Sequence, residues 1–437
     1  MRTSSLAVLF LTAAVSTACS HRSAGDPSPA QEQRGPSLPS AEFALGYEAG
    51  EEAGELEIAR AQQRLRDKPG QAGDYARLAQ AFVQRERETA DSTYAAYAED
   101  ALMAAEARDP RDPEVMIASI LRLHQQHRFA PARDAARRLI AAAPDRSIGF
   151  LLLGDALLEL GDYGGATDAY QSALDMQPDL RSYSRGAYIR WLHGDVDGAL
   201  ELMEQAMQAA GPGGREPLAW CYVEAGDMLR RRGKYQAAAS AAERALELTP
   251  GYLPARALRA RVRGRLGQRD QAIAELADVV AVRPNAEQLL LLAELLGQAG
   301  RTAEAAARVA EAEKLAAHDP LSLAVYYARH GHAIGRALDL AEQAVRERPS
   351  IFALDARALA LLRAGRVAEA RAAMALALRL DTPSAELHIH RALIELAAGD
   401  RQAAAASLSR ARAIEPDADG VLVAELERGL GRTEVKR

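Results

Sequence analysis

The chain has 437 residues, of which 49% are hydrophobic and only 5% are aromatic, and its formal net charge is -6. A nucleic-acid-binding protein would show a basic balance, whereas here 54 Lys and Arg are interspersed with 60 Asp and Glu. The sequence contains no phosphate-binding loop, dinucleotide fingerprint or nucleophile elbow. We therefore predict that the protein is not an enzyme, carries no cofactor and does not bind nucleic acid.

Residues 1–18 have the pattern of a secretory signal peptide, in which Arg2 precedes an apolar run from Leu6 to Val15. This run is too short to span a membrane. The letters "STAC" then introduce Cys19 and resemble the lipobox of bacterial lipoproteins, where the cysteine is lipidated and becomes the new N-terminus. Ser16 stands where that motif usually has leucine, and the segment also fits cleavage by ordinary signal peptidase.

The lipobox resemblance implies a lipid anchor at Cys19 and an exported protein on the periplasmic face of a membrane. Ser20 favours the outer membrane if the cell has two membranes. A soluble periplasmic protein is the alternative. Residues 19–45 are rich in proline and predict a disordered tether, and residues 46–73 return to a helical pattern that predicts an N-terminal capping helix.

A ladder of small residues then recurs along the chain. In "GDALLELGDYGGATDAYQSALDMQP", Gly161 is followed by Ala166, Ala173 and Pro178. Equivalent anchors, spaced by 32 to 39 residues, are Thr93, His127, Gly194, Gly233, Gly267, Gly300, His332, Gly365 and Gly399. Such a pattern predicts two helices per unit, with Gly ending the first helix, small residues at the helix contacts and Pro ending the second.

These residues resemble the tetratricopeptide repeat family, whose 34-residue unit has small residues and Pro at the same places. Residues 147–178 match best. The resemblance implies an all-α, right-handed superhelical solenoid of about ten helix hairpins over residues 74–417. Residues 418–437 then predict a C-terminal capping helix and tail, which repeat arrays need for solubility.

In this family the first helix of each unit lines a concave groove that holds a peptide or protein. Applied to this sequence, the resemblance implies adjacent groove segments that contain both tryptophans of the chain. The candidate groove residues are Tyr188, Trp191, Trp220, Asp227, Arg230 and Arg261. Trp, Tyr and Arg dominate binding hot spots, although an aromatic residue on a first helix can also pack between helices.

The remaining motifs do not point to chemistry. The histidines of "HGH" (330–332) and "HIH" (388–390) lie two residues apart, so on a helix they point to different faces and make no natural metal chelate. We therefore expect a membrane-anchored scaffold or adaptor for a peptide or protein partner, in envelope or secretion-machine assembly. The alternative is a regulator or carrier that presents cell-wall enzymes or polysaccharide-export components.

Overall fold

Glycine ends the first helix in seven of the repeats. The anchors from Gly161 to Gly399 that are glycine adopt φ between +70° and +87°, a left-handed conformation that costs other residues a steric penalty. The chain therefore leaves the first helix, reverses direction and enters the second helix within a few residues. At the atypical anchor His332, the left-handed residue is Gly331, with φ +68°.

The computed structural model describes residues 39–211 and 214–431. Within these ranges the fold is all α-helical, with 23 helices and no strand. The chain forms two compact units, which meet in sequence between Pro144 and Asp145. Pro144 is one of the prolines that close a repeat, so the boundary falls at the end of a hairpin.

The N-terminal unit contains two hairpins, α3/α4 and α5/α6, preceded by two further helices. Its helices are α1 (Glu42–Leu45), α2 (Ala53–Asp67), α3 (Ala72–Thr89), α4 (Thr93–Arg108), α5 (Pro113–Gln125) and α6 (Phe129–Ala142). Helix α2 occupies the region predicted to hold a capping helix. It buries Ile58 and Leu65, and its Glu55 accepts hydrogen bonds from Tyr94 at 2.8 Å and from Arg85 at 2.7 Å.

The C-terminal unit contains eight consecutive hairpins and a last single helix. Its first eight helices are α7 (Ser147–Glu159), α8 (Tyr163–Met176), α9 (Leu180–Leu192), α10 (Val196–Gln208), α11 (Arg215–Arg231), α12 (Tyr235–Leu248), α13 (Leu253–Arg265) and α14 (Arg269–Val282). The others are α15 (Ala286–Gln298), α16 (Thr302–Glu313), α17 (Pro320–His330), α18 (Ile334–Glu347), α19 (Ile351–Arg363), α20 (Val367–Ala377), α21 (Ala385–Ala397), α22 (Arg401–Ile414) and α23 (Gly420–Gly431). With the two hairpins of the N-terminal unit, the described residues form ten hairpins, the number that the ladder predicts.

The small residues of the ladder form the contacts between helices. Twelve residues after each anchor, the side chain is buried in all ten units, from Ala105 to Ala411. Five residues after each anchor, the alanine is buried in every unit except at Ala305, which is half-buried. These positions allow two helix axes to approach closely, as the ladder predicts.

The sequence places the end of the first helix of the first repeat three residues too late, at Thr93. Thr93 does not end a helix but begins α4, because α3 is 18 residues long and ends at Thr89. The left-handed residue after α3 is Ala90, with φ +61°.

Several predictions concern residues that the structure does not describe. The signal peptide (residues 1–18), Cys19 and most of the tether lie outside the described residues. Among the helices that are described, none combines the length and the apolar character needed to cross a bilayer.

Candidate functional site

The six candidate groove residues lie on the first helices of three consecutive hairpins in the C-terminal unit. Helix α9 carries Tyr188 and Trp191, and α13 carries Arg261. Helix α11, between them, carries Trp220, Asp227 and Arg230. The structure thus places all of them on the helices that the family resemblance assigns to the groove.

Trp191 is the aromatic centre of this region. Its ring stacks on Tyr188 of the same helix at 5.8 Å between ring centroids. It also stacks on Phe352 of α19 at 6.5 Å, and the guanidinium of Arg231 lies 5.3 Å from its ring centroid. Trp191 is only 1% exposed. The Trp191 ring therefore contacts both its own hairpin and a hairpin much later in the repeat array.

Asp227 organises the charges beside Trp191. Its two carboxylate oxygens accept hydrogen bonds from Nε of Arg230 at 2.7 Å and from Nε of Arg231 at 2.6 Å. Burial alone would raise the pKa of Asp227, but Arg230, Arg231 and Arg261 outweigh it and hold that pKa well below its usual value. Asp227 is therefore ionised and neutralises part of a cationic cluster inside the unit.

The two arginine candidates make different contacts. Arg230 also approaches Glu415, which follows α22, with 3.7 Å between Nη1 and Oε1. Arg261 forms an ion pair with Glu287 of α15 and donates a hydrogen bond to Gln288 at 3.2 Å. Each arginine therefore already has an acidic partner within the chain.

The burial of the candidates corrects the expectation that all six line an accessible groove. Trp191, Asp227 and Arg230 are 1%, 5% and 6% exposed, so they do not present an open binding surface in this conformation. The physical reason is that their helix faces meet residues of the C-terminal repeats, such as Phe352 and Glu415. Tyr188, Trp220 and Arg261 are half-buried.

The sequence reasoning missed two buried carboxyl groups in the same region. Glu224 lies one helical turn before Asp227, and burial together with the Asp227 charge raises the pKa of Glu224 to about 8. Burial likewise raises the pKa of Glu386, on α21, to about 7. Glu386 occupies the second position of its unit, so the rule that selected Trp220 would also have selected it.

Both histidines of the HIH motif are buried side chains of α21. His390 bonds through Nδ1 to both carboxylate oxygens of Asp355, at 2.8 and 2.9 Å, while burial lowers the pKa of His388 to about 4. Within the described residues, no group of three or more His, Cys, Asp or Glu side chains is arranged to hold a metal ion.

Sequence comparison assigns the repeats. Two profiles described as tetratricopeptide repeat match residues 229–295 and residues 117–181, 151–215 and 356–419, together more than half of the chain. No curated protein matches the whole sequence significantly.

Solved structures with a similar arrangement share little sequence with this chain. A structure of the human IFIT1 dimer with PPP-AAAA is 13% identical, covers 86% of this chain and 97% of its own, and has a TM-score of 0.49. A tetratricopeptide repeat protein from Parabacteroides merdae is 20% identical, covers 57% and 98%, and has a TM-score of 0.34. PilW, a type IV pilus biogenesis factor, is 16% identical, covers 48% and 94%, and has a TM-score of 0.40.

Proteins built from such repeats generally serve as scaffolds that bind proteins or peptides, and they are generally not enzymes. The ladder of small residues, the ten hairpins and the profile matches agree. The chain belongs to the tetratricopeptide repeat family.

Proposed function

We propose that the protein is a membrane-anchored scaffold that binds a peptide or protein through the first helices of its C-terminal unit and serves the assembly of an envelope or secretion machine. The carrying observation is that aromatic and arginine side chains of α9 and α11 converge around Trp191 and Asp227, while the charge of Arg261 on α13 helps to lower the pKa of Asp227. Such side chains supply most of the binding energy at protein interfaces.

The half-buried members of the set are the first contacts for a partner. Trp220 and Arg261 are within reach of solvent, whereas Trp191 and Arg230 are not. Arg261 sits beside Glu287, so an acidic group of a partner would compete with that carboxylate for the guanidinium. The proposed partner is therefore an extended or helical segment with an apolar and an acidic side chain.

Anchoring rests on the N-terminal sequence. An apolar run, a cysteine after small residues and a proline-rich segment occur in the order that a lipoprotein requires. We propose that lipid on Cys19 holds the repeats on the periplasmic face of a membrane.

A crosslinking experiment in intact cells tests the function. Trp220→Ala and Arg261→Ala should each reduce the proteins captured from crosslinked envelopes. Arg244→Ala on the exposed side of α12 and Met176→Ala at the end of α8, both exposed, are the matched controls. Capture of assembly subunits supports the scaffold, and capture of hydrolases or glycan-export proteins supports a regulator or carrier. An identical set of partners for all four variants would refute binding at this site.

A further inference from the structure

Three loops in the first half of the C-terminal unit touch three loops in its second half. The loops that follow α7, α9 and α11 contain Gly161, Gly194 and Gly233. The loops that precede α19, α21 and α23 contain residues 349–350, 381–382 and 415–417, and Ile351 is the first residue of α19. We call these three contacts the seam. Contacts of a repeat array are normally confined to neighbouring repeats, so the seam shows that this array returns to meet itself.

The first contact is the most extensive. The backbone amide of Ile351 donates a buried hydrogen bond to the Tyr163 hydroxyl at 3.0 Å. Arg379, from the connection between α20 and α21, donates to the Gly161 carbonyl at 3.3 Å, and its guanidinium lies 5.0 Å from the centroid of the Tyr163 ring. Arg348 lies 3.6 Å from the carboxylate of Glu159.

The second and third contacts repeat this arrangement one hairpin further along each half. The Thr382 hydroxyl donates to the Leu192 carbonyl at 2.6 Å. In the third contact, Arg230 near the end of α11 lies 3.7 Å from Glu415. Arg265, which ends α13 in the next hairpin, pairs with the same Glu415 at 2.6 Å and donates to the Asp417 carbonyl. The glycine loops after α7, α9 and α11 therefore meet the loops before α19, α21 and α23 in the same order, as expected where two successive turns of one superhelix meet.

Glycine has a second role at the seam. A Cβ atom added to Gly161 would lie 2.5 Å from the Pro349 carbonyl oxygen, and one added to Gly194 would lie 3.2 Å from the Asp381 carbonyl oxygen. A Cβ atom on Gly233 would lie 3.3 Å from Cδ of Pro416. The anchors Gly300, Gly365 and Gly399 have the same left-handed backbone, with φ between +76° and +85°, but have open space at the same point.

We propose that the seam is a latch that closes the inner surface of the C-terminal unit and must open before a partner reaches Trp191, Asp227 and Arg230. This inference rests on the proposed function, because it regulates the same site. The seam consists of loops joined mainly by hydrogen bonds and ion pairs, which exchange with water at little net cost. The stacking of Trp191 on Phe352 crosses between the same two halves, so opening the latch separates these rings.

Fluorescence quenching of Trp191 measures the latch without any partner. Trp220→Phe leaves Trp191 as the single tryptophan, and acrylamide is the probe. In this background, Gly161→Ala, Gly194→Ala and Gly233→Ala combined should raise the quenching constant several-fold while the helical circular dichroism persists. The matched control combines Gly300→Ala, Gly365→Ala and Gly399→Ala, which adds the same backbone penalty away from the seam. Unchanged quenching in the seam variant, or an equal rise in the control, would overturn the proposal.

A milder pair of substitutions keeps the test decisive if the triple variant does not fold. Tyr163→Phe and Thr382→Val remove two seam hydrogen bonds with almost no change in shape. Together they should also raise the quenching of Trp191, and unchanged quenching counts against the latch.

Hydrogen exchange shows whether the latch opens in the unsubstituted protein. The Ile351 amide should exchange through a local opening, faster than the amide of Ile389 in the middle of α21. Equal protection of the two amides would mean that the seam opens only on global unfolding, which refutes the latch. None of these measurements uses a partner, so a failed capture experiment would refute the proposed function without contradicting the opening of the seam.

Discussion

Trp191 and Trp220 occupy consecutive hairpins but differ in what surrounds them. Trp191 contacts Tyr188, Phe352 and the Arg231 guanidinium and is almost fully buried. Trp220 is half-buried. Trp191 is thus part of the packing of the unit while the seam is closed, whereas Trp220 is available to a partner without that opening.

We predict that Trp191→Ala lowers the free energy of unfolding by about 3–5 kcal/mol, the cost of removing a large buried aromatic side chain. Trp220→Ala should cost less than half as much, since part of its ring stays in water. Urea unfolding followed by circular dichroism measures both values. Equal losses in the two variants would contradict the difference in burial.

The buried carboxyl groups make stability depend on pH. The pKa of Glu224 rises from 4.5 to about 8 and that of Glu386 from 4.5 to about 7, so both bind a proton more tightly in the folded than in the unfolded protein. Their stabilising contribution is therefore complete below about pH 4.5 and is lost as the pH rises through the folded-state pKa values.

We predict that Glu224→Gln makes the protein more stable than the parent at about pH 9 and reduces the loss of stability between about pH 5 and about pH 9. The isosteric amide cannot ionise, so it removes the cost of burying a charge. Glu201→Gln on the exposed side of α10 is the control. Free energies of unfolding across this pH range are the measurement, and parallel curves for Glu224→Gln and the parent would disprove the assignment.

At the scale of single elements, α23 closes the C-terminal unit. Its Leu422 and Leu426 are fully buried, and its Glu425 forms a bidentate ion pair with Arg363 of α19 at 2.6 and 2.8 Å. Asp419, just before the helix, pairs with Arg329 of α17 at 2.7 Å. The last helix is thus bound to two different first helices.

We predict that Leu422→Ala lowers stability by about 2–5 kcal/mol, because it leaves a cavity beneath α23. Val421→Ala, at the neighbouring position that is 54% exposed, should change stability by less than about 0.5 kcal/mol. Thermal unfolding separates the two, and similar melting temperatures would show that α23 does not cover the repeats.

The second helices depend on the small residues of the ladder. Ala166 on α8 is fully buried, so Ala166→Leu should overpack its contact and cost about 1–3 kcal/mol. Ala237→Leu on α12 is the control, since Ala237 is exposed and precedes the buried Ala238. Melting temperatures provide the test, and a loss in the control as large as that at Ala166 would show that burial is not the cause.

The sequence predicts these elements well because their signals are local. Gly161 indicates a helix end and Ala166 indicates a helix contact, and both features depend only on residues nearby in the sequence. The prediction at Thr93 is wrong because α3 is unusually long, and the left-handed residue that ends it is Ala90. The burial of Trp191 is beyond such reasoning, since Phe352 lies more than 150 residues away and no pattern around either residue indicates their contact.

At the scale of the whole molecule, the ten hairpins divide into two units at Pro144. The ladder runs through this point without a change in spacing, so the sequence gives no warning of the boundary. Composition and the ladder predict the all-helical fold. They do not predict that the two halves of the C-terminal unit meet at the seam, because that contact depends on the sum of small rotations between successive hairpins.

The proposed localisation depends on one residue, Cys19. We predict that Cys19→Ala leaves an unprocessed or soluble protein, because no thiol remains to accept the lipid. Partitioning between the detergent and aqueous phases measures the change, with Cys221→Ala, a buried cysteine in α11, as control. Retention of the Cys19→Ala variant in the detergent phase would rule out lipid anchoring through this residue.

The seam also fixes the copy number of the repeats. An open array can gain or lose a unit by duplication or deletion, because each hairpin only needs a neighbour. A hairpin added between α9 and α18 would move Pro349 one repeat away from Gly161. The other loops of the seam would then also face the wrong partners. The 39-residue step from Gly194 to Gly233 is tolerated because its extra residues lengthen helix α11, which has 17 residues, and the connection before it, without adding a hairpin. Evolution of this stretch should therefore proceed by substitution and loop growth, with the number of hairpins between Gly161 and Pro349 held constant.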